Sequence, residues 1–180
     1  MNKIASLCLV IISTVFFTAC EEDLDKFTMF TISDQTDFLI PSTTVIDLPI
    51  AFATPEALVN STKEFDNNNS RKDLIEKARL TKLILNLKSP ESGNFDFLNE
   101  VIIYINAEGL EKVKIASITD IPETQLKQLI LNTEEIELRP YLQKDSYSLS
   151  IDTKIDKTIE SDYTIEVDSD IFIDAKILGI

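Results

Sequence analysis

The sequence predicts an all-β protein, folded as a single antiparallel two-sheet β-sandwich with one or two short helical turns. Apolar and polar residues alternate with a period of two over much of the chain beyond residue 27, as expected for strands that bury one face. About eight such strands are joined by short polar connections. No stretch shows the strand–helix–strand rhythm of a parallel sheet, which leaves the sandwich as the best-fitting class.

Two long strands are predicted near the end of the sequence, over 147–155 and 165–177, where apolar residues occupy nearly every second position. The intervening positions are mostly Ser, Asp, Lys and Glu, which places them on a solvent-facing side. The polar link Asp156 to Asp162 predicts a hairpin, in which the two strands are neighbours in one sheet.

Shorter patterns predict the other strands. Residues 46–52 alternate and contain Pro49, which favours an edge position or a bulge. Residues 101–105 are apolar on both faces, which favours a central strand. The remaining predicted strands are 79–88, 113–115 and 136–138.

Helical turns are predicted in two segments. Thr54-Pro55-Glu56-Ala57 combines a helix-capping residue with proline at the first helical position. Residues 122–131 place apolar side chains at helical spacing, although a strand fits them nearly as well. Residues 61–71 are rich in Asp, Asn and Ser and predict a polar loop.

Three segments, 78–87, 94–98 and 101–105, together resemble the immunoglobulin-like sandwiches of the late-embryogenesis-abundant type. The resemblance implies an immunoglobulin-like fold. It contains no site motif, and therefore implies nothing about activity.

Residues 1–19 have the features of a targeting segment. Lys3 supplies the positively charged N-terminal region of such a segment. The apolar run Ile4–Phe17 that follows is shorter than the about 20 residues that a membrane-spanning helix needs. Phe17-Thr18-Ala19-Cys20 resembles the lipobox of bacterial lipoproteins, with Phe in place of the usual Leu. That resemblance implies cleavage before Cys20 and covalent lipid on Cys20, which would make the membrane a partner through the anchor. An ordinary signal peptide cut elsewhere, or a buried core helix, is the alternative.

The residues after the cysteine are acidic. Glu21, Glu22 and Asp23 resemble the export tag of Bacteroidota-type surface lipoproteins, which implies an outer-membrane location facing the cell exterior. A solvated tether without an address, on the periplasmic face, is the alternative, as is inner-membrane retention. The predicted organisation is a leader over 1–19, a lipidated tether over 20–26 and one β-sandwich domain over 27–180.

The composition excludes several kinds of chemistry. The net charge is −14, or −15 once Lys3 is removed, so the surface repels phosphate backbones and nucleic acid is not an expected partner. The chain has no His, and its two cysteines are Cys8 in the leader and the lipidated Cys20. Ser-His triads, thiolate nucleophiles and His- or Cys-ligated metals are thereby excluded. Only three glycines occur, too few in any one place for a phosphate-binding loop.

Two acidic segments are candidates for calcium. Asp66-Asn67-Asn68-Asn69-Ser70 matches the opening of a calcium loop, but Arg71 and Lys77 stand where a glycine and a bidentate acid are required. A polar loop therefore fits that segment better.

The second candidate lies on the last predicted strand, whose outer face carries Glu166, Asp168, Asp170 and Asp174. In the predicted hairpin, Asp152 and Asp156 would be their cross-strand neighbours. Adjacent like charges destabilise a sheet unless they are bridged, so Asp168, Asp170 and Asp174 are candidate calcium ligands. A solvated face balanced by neighbouring lysines is the alternative. No other cofactor is expected.

These observations favour a lipid-anchored envelope module with a non-catalytic binding or structural role, whose partner is an unidentified protein or polysaccharide. The alternative is a surface carbohydrate-binding protein or a carboxylate-dependent glycoside-processing enzyme. Asp96, between Phe95 and Phe97, is the one acid in an aromatic setting. The absence of Trp and the strand positions of the tyrosines weaken this alternative, because sugar binding needs exposed aromatic platforms.

Overall fold

The computed structural model describes residues 29–42, 49–53, 57–58 and 62–176. The predicted leader, the tether and all but Ala57 of the helical turn at 54–57 lie outside these residues. The strands are β1 (Met29–Ile40), β2 (Pro49–Ala53), β3 (Ala57–Leu58), β4 (Ile75–Ser89), β5 (Leu98–Ala107), β6 (Val113–Thr119), β7 (Gln128–Ile130), β8 (Asn132–Thr133), β9 (Ser146–Ile155) and β10 (Tyr163–Ala175). The helices are α1 (Thr62–Asn67) and α2 (Arg139–Leu142), with a 3-10 turn at Lys72–Leu74.

The strands form two antiparallel sheets, which confirms the predicted all-β sandwich. The four-stranded sheet has the order β1-β10-β4-β7, and the six-stranded sheet the order β2-β9-β5-β6-β8, with β3 also paired to β9. The eight principal strands pair in a nested way: β1 with β10, β2 with β9, β4 with β7 and β5 with β6. This nesting is the strand order of a jelly roll. The immunoglobulin order contains several hairpins of consecutive strands, whereas among the described strands only β5 and β6 are consecutive and paired, so the immunoglobulin order is not the one observed.

The predicted hairpin of the last two long strands is wrong. β9 and β10 bury the predicted faces, but β9 pairs with β2, β3 and β5, whereas β10 pairs with β1 and β4. The link between them crosses from one sheet to the other. Ile159 in that link is buried, and the Asp156 N–H donates to the Phe97 carbonyl at 3.1 Å. Alternation determined which face each strand buries, but it carried no information on which strand lies beside it.

The described helices lie in segments for which no helix was predicted. Residues 62–67 of the predicted polar loop form α1, because Phe65 is buried against the core. The segment 122–131 contains the strand β7 and no helix. Residues 136–138 form no strand and instead lead into α2, at whose N-terminus Leu138 is buried.

The hydrophobic core lies between the two sheets. The four central strands are β4 and β10 in one sheet and β5 and β9 in the other. Their inward apolar positions alternate with outward polar positions. Burial of each large aliphatic side chain stabilises the fold by about 1.5–3 kcal/mol. The large aliphatic residues of these strands that are at most 1% exposed are Leu83, Leu85, Val101, Ile103, Ile105, Ile151, Ile155, Ile165, Val167 and Ile173.

Candidate functional site

The acidic row predicted on the last strand lies on the outer face of the four-stranded sheet. Asp168 and Asp170 on β10 both contact Lys82 on β4, with N–O distances of 3.3 and 3.0 Å. Ser33 on β1 donates a hydrogen bond to Asp170 at 2.7 Å. This bond and Lys82 hold the pKa of Asp170 below its usual value, and the two carboxylates raise the pKa of Lys82.

The next acid in the row has a similar environment. Lys88 binds Glu166 at 2.7 Å, and the Asn86 side chain donates to the same carboxylate at 3.4 Å. The hydrogen bond from Lys88 is the main reason that the pKa of Glu166 is lowered. Two lysines of β4 therefore form ion pairs with three of the four acids of the row, Glu166, Asp168 and Asp170.

The predicted calcium site at Asp168, Asp170 and Asp174 finds no support in this geometry. Asp152, the expected cross-strand neighbour, lies on the outer face of the other sheet, where Lys112 binds it at 3.2 Å. Lys82 occupies the place between two of the carboxylates that a cation would take. Within the described part of the chain, no three His, Cys, Asp or Glu side chains are grouped so that they could hold a metal ion.

The other acidic candidates have structural roles. At the end of α1, Asn69 adopts a positive φ of 51°, and the buried Ser70 hydroxyl donates to the Lys176 carbonyl at 2.7 Å, so this segment is a turn that joins the end of β10. Asp96 accepts a hydrogen bond from the Gln125 N–H at 2.8 Å and so fixes the loop before β7.

The tyrosines offer little free aromatic surface. Tyr141 and Tyr147 are buried, and Tyr163 packs edge-to-face on Phe97 with ring centroids 4.5 Å apart. Tyr104 points outward from β5, but the Lys112 ammonium lies 4.0 Å from its ring centre. A flat sugar-stacking platform is therefore not formed by these residues.

Sequence reasoning missed a cleft of about 520 Å³ on the outer face of the four-stranded sheet. Its floor is formed by three adjacent strands, with Met29 of β1 opposite Asp174 of β10, which in turn lies opposite Lys77 of β4. In the next row the Arg79 guanidinium lies 5.1 Å from the centre of the Phe172 ring. The cleft thus combines apolar contact area with two basic and three acidic side chains.

The wall of the cleft is the segment 135–137. It is fixed along β4 by the Glu137 carboxylate, which accepts the N–H groups of Ala78 at 2.9 Å and Arg139 at 3.0 Å. The Leu138 N–H donates to the Ala78 carbonyl at 2.8 Å. This anchoring leaves Ile136 exposed at the rim. No sequence motif marks the cleft, because its residues come from four separate segments.

The predicted lipidation site Cys20 and the predicted export signal Glu21, Glu22 and Asp23 lie outside the described residues. In the part of the chain that is described, no helix has the length and apolar character needed to cross a membrane.

No protein-family model matches the chain, and no curated protein matches it. Among solved structures, one of desmodium yellow mottle tymovirus is similar with a TM-score of 0.30 and 11% identity, covering 84% of this chain and 91% of the other. A solved structure of turnip yellow mosaic virus at 100 K is similar with a TM-score of 0.30 and 13% identity, covering 84% of this chain and 98% of the other. Similarity at this level supports no argument about function.

Proposed function

We propose that this chain is a lipid-anchored module of the bacterial cell envelope, whose sandwich binds a partner protein or polysaccharide without catalysing a reaction. The observation that supports a binding role most directly is the cleft on the outer face of the four-stranded sheet. Met29 is the first residue of β1 and lines the cleft, and it follows Cys20 by nine residues. An extended chain of that length spans at most about 30 Å, so a lipid on Cys20 would hold the cleft close to the membrane.

The chemistry of the cleft suits binding. Phe172 and Ile136 provide apolar surface, while Lys77 and Arg79 provide donors for carboxylate, phosphate or hydroxyl groups of a ligand. Glu137 is committed to two backbone N–H groups and so maintains the shape of the wall. Its Oε1 atom accepts both hydrogen bonds and so supports the site.

The anchor is tested by replacing Cys20 with Ser and following incorporation of labelled palmitate in growing cells. We expect the wild-type chain to be labelled and to sediment with membranes, and the variant to be neither. Labelling of both chains would contradict lipidation at Cys20.

The membrane face is tested by protease treatment of intact cells, with detection through a C-terminal tag and a periplasmic protein as the leakage control. Loss of the tag would support a surface location directed by Glu21, Glu22 and Asp23. Protection in intact cells, with digestion after lysis, would contradict it and favour the periplasmic face.

The cleft is tested in cells with a photo-crosslinking amino acid at Ile136, at its rim, and at Glu108 in an exposed turn as a matched control. We expect one defined adduct from position 136 and none from 108. The Arg79→Ala variant should weaken that adduct. Equal labelling from both positions would contradict a specific site.

Carbohydrate binding or processing is the second candidate, because the acids Glu135 and Asp174 also line the cleft. Two acids across a cleft are the minimum for glycoside hydrolysis. A panel of bacterial and host glycans would be incubated with the wild-type chain and with the Glu135→Gln and Asp174→Asn variants. Binding that both variants retain would indicate a lectin-like role, whereas cleavage that both abolish would indicate an enzyme.

A further inference from the structure

The edges of the two sheets differ greatly in length. The four-stranded sheet ends in β7, which has three residues, on one side and in β1, which has twelve, on the other. The six-stranded sheet ends in β8 on one side and in β2 and β3 on the other, none of which exceeds five residues. Short edge strands protect a sheet from pairing with foreign strands, and β1 lacks that protection.

β1 also lacks most of the other devices that protect an edge. Its pairing with β10 runs without a bulge from Met29 opposite Asp174 to Ile40 opposite Tyr163. It contains no Lys, Arg or Pro. Within the described residues, β10 is the one strand paired with it. Its central segment is therefore a regular row of backbone donors and acceptors along the side of the sheet.

The hydrogen bonds show which backbone groups face outward. The Ser169 hydroxyl on β10 donates to the Asp34 carbonyl at 3.4 Å, so the backbone of Asp34 faces β10. Successive residues of a strand point their backbone groups to opposite sides. The N–H of Gln35 accordingly points away from β10, and it donates to the Asp34 carboxylate at 3.0 Å. By the same alternation, the backbone groups of Ser33 and Asp37 face outward.

We propose that the edge of β1 from Thr31 to Asp37 binds an extended strand of another protein, which carries Lys or Arg at alternate positions. The proposal rests on the proposed binding role and names the surface and the chemistry of the partner. Backbone pairing would supply the affinity, as in other cases of strand addition. Asp37, which points outward from β1, would supply the charge preference, since opposite charges on neighbouring strands stabilise a sheet and like charges destabilise it.

A second copy of this chain fits the edge less well. Antiparallel self-pairing about the centre of β1 would bring Asp34 of one copy close to Asp34 of the other. The chain as a whole carries a net charge of −14, so the long-range repulsion acts in the same direction. A basic strand meets neither obstacle.

The test uses the full chain in detergent and labelled synthetic peptides that alternate Thr and Val with Lys, or with Glu at the same positions. A third peptide carries Lys and a central Pro, which prevents strand pairing. Fluorescence anisotropy should show that the Lys peptide binds on the order of tenfold or more tightly than the other two. Equal binding of the Lys and Glu peptides would overturn the proposal.

Substitutions locate the binding site. Asp37→Lys should weaken binding of the Lys peptide and strengthen binding of the Glu peptide. Glu108→Lys, the same charge change in an exposed turn, should change the binding of neither peptide. Gln35→Pro removes an outward N–H and should abolish binding while the circular dichroism spectrum remains that of the wild type. If it unfolds the chain, the Asp37→Lys exchange still decides the matter, and an unchanged preference would overturn the proposal.

Two further outcomes are distinguishable. A dimer in sedimentation that Gln35→Pro dissociates would show that a second copy occupies the edge, and would overturn the assignment to a basic partner. The peptide assay requires neither lipid nor membrane. A failure of lipidation at Cys20 would therefore not affect the peptide assay. If the peptide assay itself fails, the lipid anchor and the cleft are still judged by their separate experiments.

Discussion

The Tyr147 hydroxyl of β9 donates a hydrogen bond to the Asp34 carboxylate of β1 at 3.3 Å, and so joins the two sheets at one side of the sandwich. Tyr147 is 8% exposed. Burial is the main cause of its raised pKa, and the negative charge of Asp34 adds to it. The hydrogen bond also holds the Asp34 carboxylate, which points inward from the edge strand β1. An inward-pointing charge on an edge strand discourages self-association.

Replacing Tyr147 with Phe should lower the free energy of unfolding by about 1 kcal/mol, because a partly buried hydrogen bond is lost while the ring remains. Asp34→Ala should also destabilise the chain. If the two residues act through this bond, the double variant loses less than the sum of the single losses. Urea denaturation of the four chains measures this, and strictly additive losses would show that the two side chains are not coupled.

The same pair predicts a loss of stability at alkaline pH. A raised folded-state pKa means that the neutral tyrosine is favoured in the folded chain, so its contribution is complete below the unfolded value near 10 and declines as pH rises above it. Thermal midpoints should therefore fall more steeply above about pH 10 in the wild type than in Tyr147→Phe. Parallel curves for the two chains would contradict this assignment.

At acid pH the relevant group is Asp170. Its lowered pKa, due first to Ser33 and then to Lys82, contributes stability above the unfolded value near 4, which is lost as pH falls through the lower folded value. Ser33→Ala should therefore reduce the loss of stability on acidification. Thr31→Ala, opposite Phe172 in the same strand pair, is the matched control and should leave the acid limb unchanged.

The faces of the strands could be predicted from the sequence, whereas the neighbours could not. Every second residue of β9 and β10 is buried as the alternation required, because the pattern is local and each strand buries one side. Pairing of Met29 with Asp174 joins positions far apart in the chain. Contacts of that separation depend on how the whole chain closes, and alternation does not encode them.

The same distinction explains the candidate sites. The outward position of Asp168 and Asp170 could be predicted, but their partner Lys82 comes from β4, which lies beside β10 only in the nested order. The calcium prediction assumed Asp152 and Asp156 as cross-strand neighbours, whereas the strands beside β10 are β1 and β4. The cleft could not be predicted at all, since Met29, Lys77 and the segment 135–137 are brought together by tertiary structure alone.

Engineered disulfides would test the nested order directly. Residues 20–180 hold one cysteine, Cys20, so Cys20→Ser gives a background without thiols once the leader is removed. In it, Gln35→Cys with Asp168→Cys, which lie opposite each other, should oxidise readily. The control pair is Ser150→Cys with Asp168→Cys, two positions that would be opposite each other in the predicted hairpin. In the structure they lie on the outer faces of different sheets, so this pair should stay reduced. Bridging of the second pair instead of the first would contradict the jelly roll.

Two glycines should respond to substitution for different physical reasons. A Cβ on Gly93 would lie 2.9 Å from Tyr163 Cε1 and 3.0 Å from the Pro90 carbonyl oxygen, so Gly93→Ala should cost about 1–3 kcal/mol through overpacking. A Cβ on Gly109 would make only an ordinary contact, 3.9 Å from Lys144 Nζ, but the φ of this residue is +73°, so Gly109→Ala should cost about 1–2 kcal/mol through backbone strain.

Asparagine separates the two causes, because it tolerates a positive φ better than alanine but is larger. Gly109→Asn should recover part of the stability that Gly109→Ala loses, whereas Gly93→Asn should lose more than Gly93→Ala. Chemical denaturation of the four variants measures both differences. A Gly93→Asn variant more stable than Gly93→Ala would contradict the close packing of Gly93 against Tyr163, and a Gly109→Asn variant less stable than Gly109→Ala would contradict backbone strain at Gly109.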